Sequence, residues 1–284
     1  MALENMRRML QKAREHGYAV GAFNILDYNS MKAVVHAAEE LDSPVIVQTS
    51  VKTVQFWGHA TIISWMKELT ENLKIPVALH LDHCKDVNFV KECIDYGWTS
   101  VMIDASSRPF EENLELSRTV VEMAKPENVS VEAELGAIGS VEDDISGTDQ
   151  DARLADPKKA ELFCRELPLD CFAPAIGTAH GLYMGEPRIA FDLLRQIAES
   201  ISVPLALHGG TGLSVDVFKR CISLGCAKVN ISTQLKHTLI DAFISYHNAN
   251  PTEYNPLKEL GAQYDKLKED VSEKIKLFGS AGRV

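Results

Sequence analysis

No apolar run in the chain exceeds the length of a β-strand, and this excludes a transmembrane helix, which needs about 20 predominantly apolar residues in succession. The opening segment, MALENMRRMLQKAREHG, interleaves charge with hydrophobe as an amphipathic helix does, so no secretory signal is expected and the expected location is cytoplasmic. C-x-x-C pairs are also missing. The six cysteines (Cys84, Cys93, Cys164, Cys171, Cys221 and Cys226) mostly sit within apolar periodic segments, which reads as reduced thiols and excludes a disulfide framework. Positive charge is scarce: 29 Lys and Arg against 40 Asp and Glu leave a net charge of −11. With no basic stripe to track a phosphate backbone, nucleic-acid binding is disfavoured. No G-x-G-x-x-G follows the first strand-like segment, where AFNILDYNS stands, and no P-loop occurs, which argues against a doubly wound dinucleotide-binding sheet.

What is present is regular. The composition, 45% hydrophobic and 24% charged over 284 residues, is that of an ordinary globular chain. Short β-branched or apolar runs predict strands at 18–24, 44–50, 76–83, 100–106, 130–136, 171–177, 204–210 and 227–232. The segments between them place apolar residues at helical spacing, as with Met31, Val34, Val35, Ala38 and Leu41 behind a polar cap at 27–30. Ser214 is the expected N-cap of a later helix and Gly225 its C′ residue. Pro44, Pro76 and Pro204 each punctuate a helix-to-strand junction, a weak internal repeat. Eight strands alternating with helices imply parallel pairing through right-handed crossovers, and a chain of this length fits a (β/α)8 TIM barrel of α/β class. The expectation is one barrel domain over 1–284, with an N-terminal helix before the first strand and a C-terminal helical extension.

A barrel of this kind carries its site at the C-terminal ends of the strands. Those ends hold Asn24, Gln48 with Ser50, Asp82 with His83, Asp104, Glu134, His180, His208, and Asn230 with Ser232. His83, His180 and His208 come from the third, sixth and seventh units, and three neutral imidazoles with an open position form the ligand set of a catalytic Zn²⁺ site. His80 lies three residues before His83, so regular alternation puts the two on opposite sides of their strand. By the same alternation the adjacent Asp82 and His83 share one site only if the strand is already turning there. Cys84 reads as packing. Glycines flank two of the histidines, in AIGTAHGLY and LALHGGTGL, and with VNIST they supply Gly181, Gly209, Gly210, Thr211, Asn230, Ser232 and Thr233 to the region where barrel enzymes bind phosphate. Read from the residues, the chain is a metal-dependent barrel enzyme for a small phosphorylated substrate.

The ordered set AFN, HLDHC, SVMIDAS, VEAELG, AIGTAHG, LHGGTG and KVNIST resembles the class II, zinc-dependent ketose-bisphosphate aldolases across almost the whole chain. The resemblance implies reversible cleavage of a phosphorylated ketose to dihydroxyacetone phosphate and an aldehyde, with Zn²⁺ on His83, His180 and His208. It implies that Asp82 handles the C4 hydroxyl proton and that Glu142, in an acidic loop able to act as a lid, moves the proton at C3. Asp104 and Glu134 are implied behind the histidines or as ligands of an additional or displaced ion. Asn24 and Ser50 match substrate-contact positions, and Gly181, Gly209, Gly210, Thr211, Asn230, Ser232 and Thr233 match or adjoin phosphate-loop positions. A monovalent cation, Na⁺ or K⁺, is implied near Gly181 and Gly209, and a homodimer or homotetramer is the family's assembly. Fructose-bisphosphate members often carry N-x-D-T-D where this chain has NISTQ, so Ser232 and Gln234 replace acidic positions. Met184 stands where some members have lysine, and Thr211 replaces a serine. These departures are more like the tagatose-bisphosphate branch and leave the distal group open among Arg108, Lys236 and a partner's arginine. Lys228, early in its strand, argues against a Schiff-base mechanism. The other readings are a metal-dependent amidohydrolase, disfavoured because 18–27 contains no histidine, and a catalytically silent sugar-phosphate binder.

Overall fold

The computed structural model describes residues 3–140, 153–181, 183 and 187–284. The eight expected strands are β1 (Val20–Asn24), β2 (Val45–Ser50), β3 (Val77–Cys84), β4 (Ser100–Ile103), β5 (Ser130–Leu135), β7 (Cys171–Pro174), β9 (Leu205–Leu207) and β10 (Cys226–Ile231). They close into a parallel barrel in the order β1-β10-β9-β7-β5-β4-β3-β2. Two-residue strands β6 (Gly139–Ser140) and β8 (Ala179–His180) pair with each other outside that barrel, a feature sequence periodicity did not signal. The helices are α1 (Arg7–His16), α2 (Tyr28–Glu40), α3 (Val51–Trp57), α4 (His59–Thr70), α5 (Val87–Tyr96), α6 (Phe110–Ala124), α7 (Pro157–Glu166), α8 (Phe191–Ser200), α9 (Val215–Ser223), α10 (Thr233–Ala249) and α11 (Pro256–Phe278). None of them is long and apolar enough to cross a membrane.

Strand alternation sorts the side chains into two sets. On β3, Val77, Leu79 and Leu81 join the large outer core with Val34, Ile62, Val120, Phe163 and Phe218 of the surrounding helices. The inward set near the N-terminal end is mostly small: Ala22, Ala78, Ala173, Ala206 and Ala227 leave room that Met6, Met9 and Leu10 fill as α1 caps that end. With one mouth closed by apolar packing, only the opposite mouth is available for a ligand.

The sequence signals act where expected. Asp27 and Ser30 form a capping box at the start of α2, Ser214 caps α9, and Gly225 lies past its end with φ 107°. Pro44, Pro76 and Pro204 each immediately precede a strand, where the missing N–H costs no ladder bond. Five strands end earlier than expected: β4 at Ile103, β5 at Leu135, β7 at Pro174, β9 at Leu207 and β10 at Ile231. The residues beyond leave the ladder to form the rim, helped by Gly177 (φ 94°) and Gly209 (φ 67°) in the left-handed region.

Candidate active site

His83 has φ 47°, a left-handed conformation uncommon outside glycine. This break in alternation corrects the expectation for β3: Asp82 follows the inward parity, and the turn swings the His83 imidazole into the same site. His80 also points inward, one layer below, with Nδ1 2.7 Å from Ser100 Oγ, so the two histidines are not on opposite faces.

His83, His180 and His208 bring ligand atoms within 4.8 Å of one another, as do His83, Asp104 and Glu134. The hydrogen bonds around the imidazoles show whether a cation fits. His83 Nδ1 faces Asp104 Oδ2 at 3.0 Å and His208 Nε2 faces Glu132 Oε1 at 2.7 Å. A carboxylate only accepts, so each of these nitrogens carries its proton. The remaining nitrogens, His83 Nε2 and His208 Nδ1, then face each other across 2.9 Å. Two lone pairs so opposed need a cation or a proton between them. His180 has neither ring nitrogen hydrogen-bonded although it is buried, and Glu134 Oε2 lies 3.9 Å from His83 Nδ1 and 3.7 Å from His208 Nδ1. These donors fit a divalent ion.

The electrostatics agree. Burial disfavours the His83 imidazolium, but Asp82, Asp104 and Glu134 outweigh it and raise the group to about 10: the site demands positive charge. Burial pushes the Asp82 carboxyl up, but His83, Lys228 and His208 prevail and bring it down to about 2, so it is ionised at neutral pH. Glu134 is raised to about 8 by burial and by Asp104. His180 is driven well below the usual imidazole range by burial and by its two histidine neighbours. Asp82 accepts from Asn24 Nδ2 at 3.0 Å and from Asn230 Nδ2 at 3.3 Å, one bond to each oxygen, and retains lone pairs for a substrate proton. Burial raises the Cys84 thiol to about 11, in keeping with packing.

A cleft opens at this rim, with about 780 Å³ of unfilled space that includes solvent at its mouth. It is lined by Asp82, His83 and His180 and by every expected substrate residue: Asn24, Ser50, Gly181, Gly209, Gly210, Thr211, Asn230, Ser232 and Thr233. His208, Asp104 and Glu134 stand behind that lining. Glu142 and Met184 lie outside the described residues. Of the candidates for a distal group, Lys236 lines the cavity, whereas Arg108 is exposed and faces Glu112 at 3.6 Å. Lys52, not singled out from the sequence, lines it too. A Cβ on Gly209 would meet Ala179 O at 2.4 Å and one on Gly210 would meet Asn230 O at 2.7 Å, so both glycines are required sterically. Tyr183 was also missed: its hydroxyl donates to Gly209 O at 2.7 Å and accepts from Ala179 N at 3.1 Å, tying the two glycine-rich loops together.

A parallel barrel with a buried histidine triad, an ionised aspartate and a glycine-lined cavity at one mouth defines a class of metal-assisted enzymes for small phosphorylated substrates. Residues 4–283 match the family described as fructose-bisphosphate aldolase class-II, and the chain belongs to that family of carbon–carbon lyases. It is 42% identical over 286 aligned positions to the fructose-bisphosphate aldolase of Geobacillus stearothermophilus, covering 100% of this chain and 99% of the relative. A probable fructose-bisphosphate aldolase of Bacillus subtilis is 42% identical with both chains covered in full. Among solved structures, the YdjI aldolase of Escherichia coli K12 superposes with a TM-score of 0.87 at 32% identity, covering 99% of each chain. The family is generally metal-dependent and its substrates are small sugar phosphates.

Proposed function

We propose that the protein catalyses reversible aldol cleavage of a phosphorylated ketose, a tagatose or fructose 1,6-bisphosphate or a related ketose 1-phosphate, to dihydroxyacetone phosphate and an aldehyde. His83, His180 and His208 hold Zn²⁺ in this reading. The observation that carries it is the opposition of His83 Nε2 and His208 Nδ1 at 2.9 Å, each imidazole having its other nitrogen committed to a carboxylate. When bound, the ion supplies polarisation of the ketose carbonyl and adjacent hydroxyl oxygens. Asp82, ionised and steered by Asn24 and Asn230, takes the C4 hydroxyl proton as the C3–C4 bond breaks and the aldehyde leaves. Glu142 returns a proton to C3. Gly209, Gly210, Thr211 and Gly181, with Ser232 and Thr233 at the start of α10, cradle the C1 phosphate, and Asn24 and Ser50 contact the sugar. Lys236 and Lys52 line the cavity and would meet an anionic distal group. Asp104, bonded to His83, and Glu134 stand behind the histidines or serve as ligands of an additional or displaced ion. A Na⁺ or K⁺ ion near Gly181 and Gly209 completes the site.

The test is dihydroxyacetone phosphate release by zinc-loaded protein from fructose bisphosphate, tagatose bisphosphate and ketose 1-phosphates with other distal groups, in sodium, potassium and choline chloride. Release from one of them is expected, abolished by chelator and restored by Zn²⁺. Full turnover in metal-free protein would sink the proposal, as would inertness toward the whole panel with zinc bound. A homodimer or homotetramer is also proposed, because Ile240, Phe243 and Ile244 of α10 are exposed beside Leu257 and Leu260 of α11. Sedimentation equilibrium should return a multiple of 31.4 kDa; a monomer at micromolar concentration would refute that assembly.

A further inference from the structure

Lys228 and Glu132 are both fully buried, on the inner faces of β10 and β5, one layer beneath the rim. Their charges meet at 3.0 Å. Lys228 is therefore in the barrel interior but below the rim, in keeping with its early place in the strand, and it does not line the cavity. We propose that Lys228 and Glu132 are a positioning pair that fixes two working residues at once, His208 through Glu132 and Asp82 through Asn230. The inference rests on the metal-dependent aldolase reading above.

The reasoning is one of donors and acceptors. An ammonium has three protons and no lone pair. Lys228 Nζ donates to Asn230 Oδ1 at 2.7 Å, which obliges the Asn230 amide to keep its oxygen down and its NH₂ up, toward Asp82 Oδ1 at 3.3 Å. Next to this ammonium Glu132 is an obligate acceptor, so the proton of neutral His208 stays on Nε2 at 2.7 Å and the Nδ1 lone pair is presented to the metal position. The other titratable neighbours are His80, 3.8 Å from Glu132 Oε2 and itself held by Ser100, and the buried Cys171 thiol, which is hydrogen-bonded to Glu132 and can only donate to it. A second relay to Asp82 runs from Gln48 Nε2 to Asn24 Oδ1 at 2.9 Å and from Asn24 to Asp82. That relay is not chemically forced, because an amide at Gln48 can turn over. Only the Lys228 route dictates which atom faces upward at both rim residues.

Lys228→Met removes the charge and the donors at similar length. Outer partners of metal ligands typically alter metal affinity by about 10–100-fold, and we expect zinc affinity, measured by competition with a chromophoric chelator, to fall in that range. The expected kinetic change is a kcat about 10–100-fold lower with KM for the ketose phosphate within about threefold, since Lys228 touches the substrate only through others. Lys228→Met leaves the Glu132 charge buried without its partner and is apt to misfold. The double variant Lys228→Met, Glu132→Gln removes both charges; it should regain the melting temperature of the wild type and still show the weakened zinc affinity and kcat. Zinc affinity and kcat returning together with the melting temperature would reduce the pair to a structural role and overturn the proposal. So would a raised KM with kcat retained, which would mean direct substrate contact. If the wild type cleaved nothing in the panel, the aldolase reading would fail on its own, and the zinc-affinity comparison would still decide the proposal about this pair.

Discussion

Asp82→Asn lowers kcat for ketose cleavage by about 10³-fold, within the range for loss of a positioned acid/base group, and leaves zinc content unchanged. The substitution is isosteric, so the barrel should keep its stability. What changes is the chemistry of one atom. In the wild type both Asp82 oxygens accept, from Asn24 Nδ2 and Asn230 Nδ2. An amide at this position sets its own NH₂ against one of those donors and cannot take a proton from the C4 hydroxyl. KM should move little, because the residues proposed to hold the phosphate, on the loops after β9 and β10, are untouched by the substitution. Steady-state kinetics with metal analysis on the same preparation checks this. Retention of wild-type kcat would remove Asp82 from the proton path; lost zinc would show that Asp82 serves the metal instead.

Much of the frame behind that prediction is legible in the sequence. Alternating β and helical periods fix eight strands and their parallel closure, and the polar residue at each strand tip marks the working rim, because polar groups in an apolar run need a partner or a task. The same periodicity misplaces what departs from it. Strict alternation cannot show that His83 is left-handed, since that φ is imposed where β3 leaves the ladder and the imidazole finds Asp104. The β6–β8 pair is too short to carry a period, yet it brings His180 to the triad. Glu132 was within reach of sequence reasoning: in SVEAELG it has the parity of Glu134, so a strand that turns one carboxylate inward turns both. Lys228 was not, because which layer its ammonium reaches depends on the register shift between Cys226 and Lys228 against β9.

The histidines are expected to part company when the metal is gone. His208→Ala and His180→Ala should each strip zinc from the protein and bring cleavage below detection, since either leaves two of three imidazoles. Their metal-free forms should differ. His208 is bonded to Glu132, so its removal withdraws one partner from a buried carboxylate and costs about 2 kcal/mol, the scale of a hydrogen bond to a charged group. In a chain of this size that is a fall in melting temperature on the order of 5 °C. His180 has no hydrogen-bond partner on either nitrogen, so truncating it forfeits packing but relieves two buried polar atoms, and the metal-free melting temperature should stay within about 2 °C. Calorimetry of the chelated wild type and the two variants reads the difference. Equal destabilisation would mean that Glu132 does not hold His208, whereas zinc retained by either variant would exclude that histidine as a ligand. The predicted asymmetry follows from how the triad is built: His83 and His208 are each held by a carboxylate, whereas His180 approaches from the short strand pair with neither ring nitrogen hydrogen-bonded, so the proposed metal would be its partner.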